Sequence, residues 1–224
     1  MTRTRWRYGI VNTPGHSLLL HSVGAVVVKS SLRVFCRWQV VGKENVPRAG
    51  GAIVACNHVS YLDPPVVGAA MLPRRLYYMA RDDLFRVPLL SALIRRLGAF
   101  PVRRGTADRG ALRMTLQLLK AGEMVLMFPE GTRSPDGTLQ PPELGIAYLV
   151  AHARVPVVPV AVVGTHKVLP RGAFLPRPAP VQVRIGKPFT FDDLAPRPSR
   201  EALRRVAERI MLEIGRLLSA VSNN

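Results

Sequence analysis

Apolar positions recur along the chain in two alternating rhythms, one short and dense, the other stepping by three and four residues. Dense runs rich in Val, Ile, Tyr and Phe, bounded by Gly, Pro or Asn, predict strands over 34–41, 51–56, 76–80, 98–102, 124–128, 157–163 and 181–185. The longer step predicts helices over 84–97, 107–121 and 142–154, with Pro88 bending or beginning the first. The clearest helix is 199–221. Leu203, Val206, Ile210, Ile214, Leu217 and Val221 form its apolar stripe behind a Ser199 N-cap, and Arg200, Arg204, Arg205, Arg209 and Arg216 fill the opposite face. Strands alternating with helices predict an α/β domain, 34–224, with a mixed, largely parallel central sheet flanked by helices. The Pro-rich stretch 170–180 reads as a surface loop within it.

Residues 1–33 have a different character, basic and apolar. The apolar run 17–28 would cover roughly 18 Å as a helix, well short of the ~30 Å hydrocarbon core of a bilayer. Arg3, Arg5 and Arg7 precede it and Lys29 follows directly, with no small-x-small cleavage pattern. Cations at both ends disfavour crossing and favour a helical segment lying in an anionic membrane interface. A buried core helix and a cleaved or spanning segment are the other readings. Interfacial anchoring places the protein on the cytoplasmic face of the cell membrane, peripheral or monotopic.

Charge sharpens the search for partners. Lys and Arg number 32 against 14 Asp and Glu, a net charge of +18, which suits an anionic membrane surface, nucleic acid or an acidic carrier. Nucleic acid fits poorly, because basic clusters with interleaved aromatics and RNA-binding signatures are lacking. A non-catalytic basic module remains the rival class. A 48% hydrophobic content supplies a real core and excludes disorder as the dominant state. Cys36 and Cys56, both in apolar runs, give neither a disulfide framework nor a zinc site, so a reduced compartment is expected. The histidines are scattered, so no metal site is expected.

Four blocks carry candidate chemistry. The first, 57–64, holds His58 and Asp63 five residues apart. On a regular helix that separation turns them about 140° apart, so they touch only if the chain bends between them. A strand-to-helix junction with Pro64 early in the helix supplies the bend. In contact, the carboxylate fixes one ring nitrogen as the proton carrier and leaves the other as an acceptor. Spacing alone equally allows a loop histidine beside a capping Asp. The second block, 98–105, ends a strand with Arg103 and Arg104 before Gly105, a fork suited to phosphate or a plain basic turn. The third, 128–134, is Phe-Pro-Glu-Gly-Thr-Arg-Ser and follows an apolar run, which puts Glu130 and Arg133 at a sheet mouth where α/β proteins bind ligands. The fourth, 155–165, has Pro159 inside an apolar run, suggesting an irregular strand or a pocket wall. His166 just beyond it would border the same edge, without an assigned role.

In this order the four blocks resemble the glycerolipid acyltransferase family, specifically its 1-acylglycerol-3-phosphate acyltransferases, over roughly residues 40–190. His58 through Asp63 is similar to the family's His-four-residues-Asp motif, and Phe128 through Ser134 to its Phe-Pro-Glu-Gly-Thr-Arg-Ser signature. Arg104 stands at the family's substrate arginine and Pro159 at its proline-centred fourth motif. Two positions depart from the pattern: Arg103 replaces a residue more often acidic or polar, and Glu143-Leu144-Gly145 stands where a Lys commonly precedes Gly.

The resemblance implies acyl transfer from a thioester, on coenzyme A or an acidic acyl carrier protein, to a lysophospholipid hydroxyl, giving phosphatidic acid when the acceptor is 1-acylglycerol-3-phosphate. Another lysophospholipid or glycerol-3-phosphate is the alternative acceptor. It implies that His58 is the general base and Asp63 its partner, with no cofactor beyond the thioester. Arg104 and Arg133 would clamp the phosphate, Glu130 and Gly131 would shape the glycerol site, and Thr132 and Pro159 complete the substrate-binding set.

Overall fold

Strand β2 (Ala52–Cys56) is buried along its whole length, as a strand must be when it has neighbours on both edges and layers on both faces. A computed structural model of the protein describes residues 30, 36–103, 108–173 and 175–222. The sheet has seven strands: β1 (Gln39–Val41), β2, β3 (Leu76–Arg81), β4 (Ala99–Val102), β5 (Met124–Met127), β6 (Val157–Val163) and β7 (Gln182–Ile185). Their spatial order is β1-β7-β6-β2-β5-β3-β4, and every pairing is parallel except β6 with β7. The expected α/β sheet, mixed and largely parallel, is the one observed.

Alternation along the strands divides the core. Ala52, Val54 and Cys56 face one layer, where helix α1 (Asp63–Ala70) packs through Val66, Val67 and Ala70. Ile53 and Ala55 face the other, built by α3 (Arg109–Lys120), α4 (Leu144–Ala153) and α6 (Arg200–Ser222). Helix α2 (Pro88–Arg96) and the short α5 (Thr165–Val168) complete the set. On α6, Ile210 and Ile214 are fully buried, each contributing about 1.5–3 kcal/mol. The exposed Arg205–Glu201 pair on its outer face contributes about 0.3–0.5 kcal/mol. The apolar stripe holds this helix, not its charges.

Several boundaries differ from the sequence reading, each for a local reason. The strand expected over 34–41 begins only at Gln39, because Arg37 takes a left-handed conformation (φ 40°) that interrupts extended chain. The helix expected over 84–97 is a 3-10 turn, Asp82–Arg86, followed by α2. Pro88 opens the helix at its first position and holds Val87 extended. Gly98 leaves its strand with φ 96° because a Cβ there would lie 2.6 Å from the Leu76 carbonyl oxygen. Helix α1, with its Pro-Pro and Gly, and the four-residue α5 were not signalled by periodicity. The stretch 170–180 holds no helix or strand among its described residues. The amino-terminal membrane-associating segment, 1–33 with its apolar run 17–28, lies outside the described residues except for Ser30. Among the described residues no helix is long and apolar enough to cross a membrane.

Gly164 gives a stability test. It turns β6 into α5 at φ 92°, and a Cβ there would lie 1.9 Å from the Pro180 carbonyl oxygen. Gly50 has a similar φ of 81° but open space around it. Gly164→Ala is expected to cost at least about 3 kcal/mol and Gly50→Ala about 1 kcal/mol, strain alone. Urea midpoints of the two variants check this; equal losses would contradict the close approach at Gly164.

Candidate active site

Residues leaving β2 are pinned at once. The Asn57 amide donates to the Val162 carbonyl (3.0 Å) and its oxygen accepts the Val162 N–H (2.8 Å), extending the ladder to β6 with a side chain. His58 follows, and the chain turns through 59–62 into α1. That turn brings His58 Nδ1 to 2.8 Å from Asp63 Oδ2. The same oxygen accepts the N–H groups of Val59 and Ser60, both at 2.7 Å, so the carboxylate itself holds the bend. Asp63 Oδ1 accepts the Thr165 hydroxyl at 2.6 Å. Asp63 and Thr165 are fully buried and His58 is 8% exposed. With Nδ1 donating to the carboxylate, Nε2 is the acceptor on a ring that lines a cavity.

The loop after β5 supports that ring from the other side. Phe128 stacks on the imidazole with centroids 3.9 Å apart and planes 16° from parallel. Glu130 Oε1 accepts the His58 N–H at 2.9 Å, and Ser134 donates its N–H to the His58 carbonyl at 2.7 Å. Glu130 Oε2 accepts the Gln140 N–H at 2.9 Å. Burial pushes the Glu130 carboxyl above the ordinary carboxylate range, against the lowering effect of its two backbone donors. Gly131 adopts φ 67°, and a Cβ there would meet the Glu143 side chain at 3.0 Å. Glu143, one of the departures from the family pattern, in turn donates its N–H to the Pro129 carbonyl.

The structure thus gathers His58, Asp63, Glu130 and Gly131 into one cluster. Arg133 lies close by at the rim, its guanidinium 3.6 Å over the ring of the exposed Tyr61. Thr132 is exposed on the same loop. Arg104 lies outside the described residues; its neighbour Arg103 is exposed, with its N–H bonded to Asp108, the N-cap of α3. Pro159 is not brought to the site. It sits within a continuous β6, not an irregular strand, and packs against Gly186 instead of lining the cavity. Alternation is the reason, since Val158 and Val160 take the face toward α1. His166 is exposed, and its neighbour Thr165 is the residue that reaches the site.

A cavity of about 380 Å³ opens beside His58 and Gly131 at the carboxyl edge of the parallel strands. Tyr78, Leu126 and Val102 line it together with Ile94 of α2 and Leu97 just after that helix, so its wall is largely apolar. These lining residues and Thr165 escaped the sequence reading. The one signal for Thr165 was a polar residue one position past the end of a long apolar strand, after Gly164. Among the described residues no three His, Cys, Asp or Glu side chains gather as metal ligands. An acceptor nitrogen braced by a carboxylate, at the mouth of an apolar cavity, is suited to taking a proton from a hydroxyl on an amphiphile.

Glu130 generates a pH test. Its folded-state carboxyl binds a proton more tightly than the unfolded one, whose ordinary value is 4.5. Stability is therefore expected to fall as pH rises above about 4.5 and through the titration of this group. Glu130→Gln should flatten that slope. Urea midpoints of both proteins across this window measure it, and parallel slopes would remove Glu130 as the source.

The acyltransferase family profile matches residues 37–163, which include both clustered blocks. The 1-acyl-sn-glycerol-3-phosphate acyltransferase of Bacillus subtilis is 31% identical over 80% of this chain and 87% of its own length. The chloroplastic 1-acyl-sn-glycerol-3-phosphate acyltransferase BAT2 of Brassica napus is 30% identical over 86% of this chain, which spans 56% of that longer protein. The crystal structure of PlsC, the 1-acyl-sn-glycerophosphate acyltransferase of Thermotoga maritima, superposes with a TM-score of 0.74 at 28% identity, covering 92% of this chain and 80% of PlsC. Sequence, fold and clustered motifs agree: the chain belongs to the acyltransferase family.

Proposed function

We propose that the protein transfers a fatty acyl group from an acyl thioester, on coenzyme A or acyl carrier protein, to the free hydroxyl of 1-acylglycerol-3-phosphate, giving phosphatidic acid. The observation that carries this reading is the 2.8 Å contact between His58 Nδ1 and Asp63 at the mouth of an apolar cavity. His58 Nε2 takes the hydroxyl proton as the oxygen attacks the thioester carbonyl. Asp63 stabilises the imidazolium that forms. Collapse of the tetrahedral intermediate expels the thiolate, which recovers the proton from His58. The acceptor hydroxyl is itself the nucleophile, so no covalent acyl-enzyme is required.

The supporting groups divide by what they touch. Glu130 uses both carboxylate oxygens on backbone N–H groups, so its role is to hold His58 in place, and Gly131 with Thr132 leaves room beside it for glycerol. Arg133, with Arg104, supplies positive charge for the phosphate. The apolar cavity receives an acyl chain. The names of the relatives support the acceptor assignment, and the net charge of +18 supports an anionic membrane surface as the place of work, on the cytoplasmic face.

An acceptor panel tests the reading. Purified protein in anionic vesicles is offered acyl-CoA or acyl carrier protein with 1-acylglycerol-3-phosphate, glycerol-3-phosphate or other lysolipids, and free thiol is followed. Fastest release with 1-acylglycerol-3-phosphate is expected; release with none of them would reject acyl transfer. His58→Ala should lower turnover at least about 100-fold in a folded protein, as removal of a general base does. Thr165→Val, which leaves Asp63 Oδ1 without its hydroxyl, should lower turnover about tenfold with little change in KM, and Thr165→Ser should restore it. Near-normal turnover in the valine variant would show that the hydroxyl does not position the pair.

A further inference from the structure

Helix α2 carries apolar surface beyond the side it buries. Ile94 and Leu97 turn inward over the cavity. Leu89 is 85% exposed and Leu93 55% exposed, with Val87 at the start of the helix 54% exposed. A surface helix ordinarily presents polar residues opposite its buried stripe. Here Leu89, Ala92 and Leu93, at three- and four-residue spacing, carry apolar surface round from the buried side, and all three are exposed to water.

The surroundings say what would cover them. Residues 84–107 contain five arginines and no Asp or Glu. Arg86 is exposed at the foot of the helix. The carboxylates bounding this stretch are engaged: Asp83 pairs with Arg81, and Asp108 caps α3. Asp82 is half-buried in the preceding turn. An apolar stripe within a segment rich in arginine and without carboxylates fits a partner that is anionic at its surface and apolar beneath. Position adds a second reason. Helix α2 begins just beyond the carboxyl end of β3, so Val87 and Leu89 stand at the sheet edge where the cavity opens beside Tyr61, itself 57% exposed.

We propose that the outer face of α2, through Leu89 and Leu93, is a docking surface for an anionic lipid bilayer. Docking there sets the cavity mouth against the membrane, so an amphiphilic acceptor reaches His58 without leaving the lipid phase. What enters the cavity rests on the acyl-transfer reading above; the docking is measured apart from it.

The test uses the full chain and the double variant Leu89→Asp with Leu93→Asp. Both are co-sedimented with vesicles of equal phosphatidylglycerol and phosphatidylcholine, and with vesicles of phosphatidylcholine alone. The native chain should partition onto the anionic vesicles, and the double variant at least about tenfold more weakly. A Leu89→Ser, Leu93→Ser pair should lose binding too, which separates lost apolar insertion from added repulsion. Neither leucine lines the cavity, so turnover of a short-chain, water-soluble lysophosphatidic acid should stay within about twofold of native, while turnover of bilayer-embedded acceptor falls with binding. Unchanged partition in both double variants overturns the proposal, as does self-association of the native chain in sedimentation that both variants lose while vesicle binding is kept. If the native chain turns over neither acceptor while the variants still lose vesicle binding, acyl transfer fails and docking stands.

Discussion

The carboxylate of Asp63 is fully buried, and the site is organised around satisfying it. Four donors converge on its two oxygens: the His58 ring, the N–H groups of Val59 and Ser60, and the Thr165 hydroxyl. Among the described residues no Lys or Arg pairs with it. Removing a carboxylate from water costs several kcal/mol, and a hydrogen bond to a charged group returns about 1.5–3 kcal/mol. One or two donors would leave the burial unfavourable, whereas four offset it. The bend between His58 and Asp63 follows, because two of the four donors are backbone groups that reach the carboxylate only if the chain doubles back.

Strand order supplies the rest. β2 lies between β5 and β6 and runs parallel to both, so all three chains leave the sheet at one edge. β5 delivers Phe128, Glu130 and Ser134 to the ring and backbone of His58; β6 delivers Thr165 to Asp63. An antiparallel neighbour would have sent one of those loops to the far edge. The bond between Glu130 and His58 spans 72 residues of chain and that between Thr165 and Asp63 spans 102. Both become short-range only through parallel pairing.

Chemistry and lipid binding then meet on one ring. Phe128 covers a face of the imidazole, while Tyr78, Leu126, Ile94 and Leu97 build an apolar space beside it. Helix α2 roofs that space with one side and offers leucines to the exterior beside it. Its start is set by Pro88, a local choice with a distant effect on what the cavity can hold.

Local chemistry was legible along the chain. Alternation and three-to-four spacing located most of the strands and helices, and the His58 to Asp63 separation demanded a turn that Pro64 made credible. The Phe128 to Ser134 block marked a functional loop. Less was legible wherever a residue's role depends on its neighbour across the sheet. Glu130 reads as a substrate contact but holds backbone; Pro159 reads as a pocket wall but faces the opposite layer; Thr165 gave almost no signal, while the adjacent His166 drew notice and lies exposed. The sequence by itself determined which segments extend, coil or turn, because those preferences are set by each residue and its near neighbours. Only the tertiary structure decided which loops share an edge, and so which donors reach Asp63 and where an apolar space remains, because strand order is a property of the whole packed sheet.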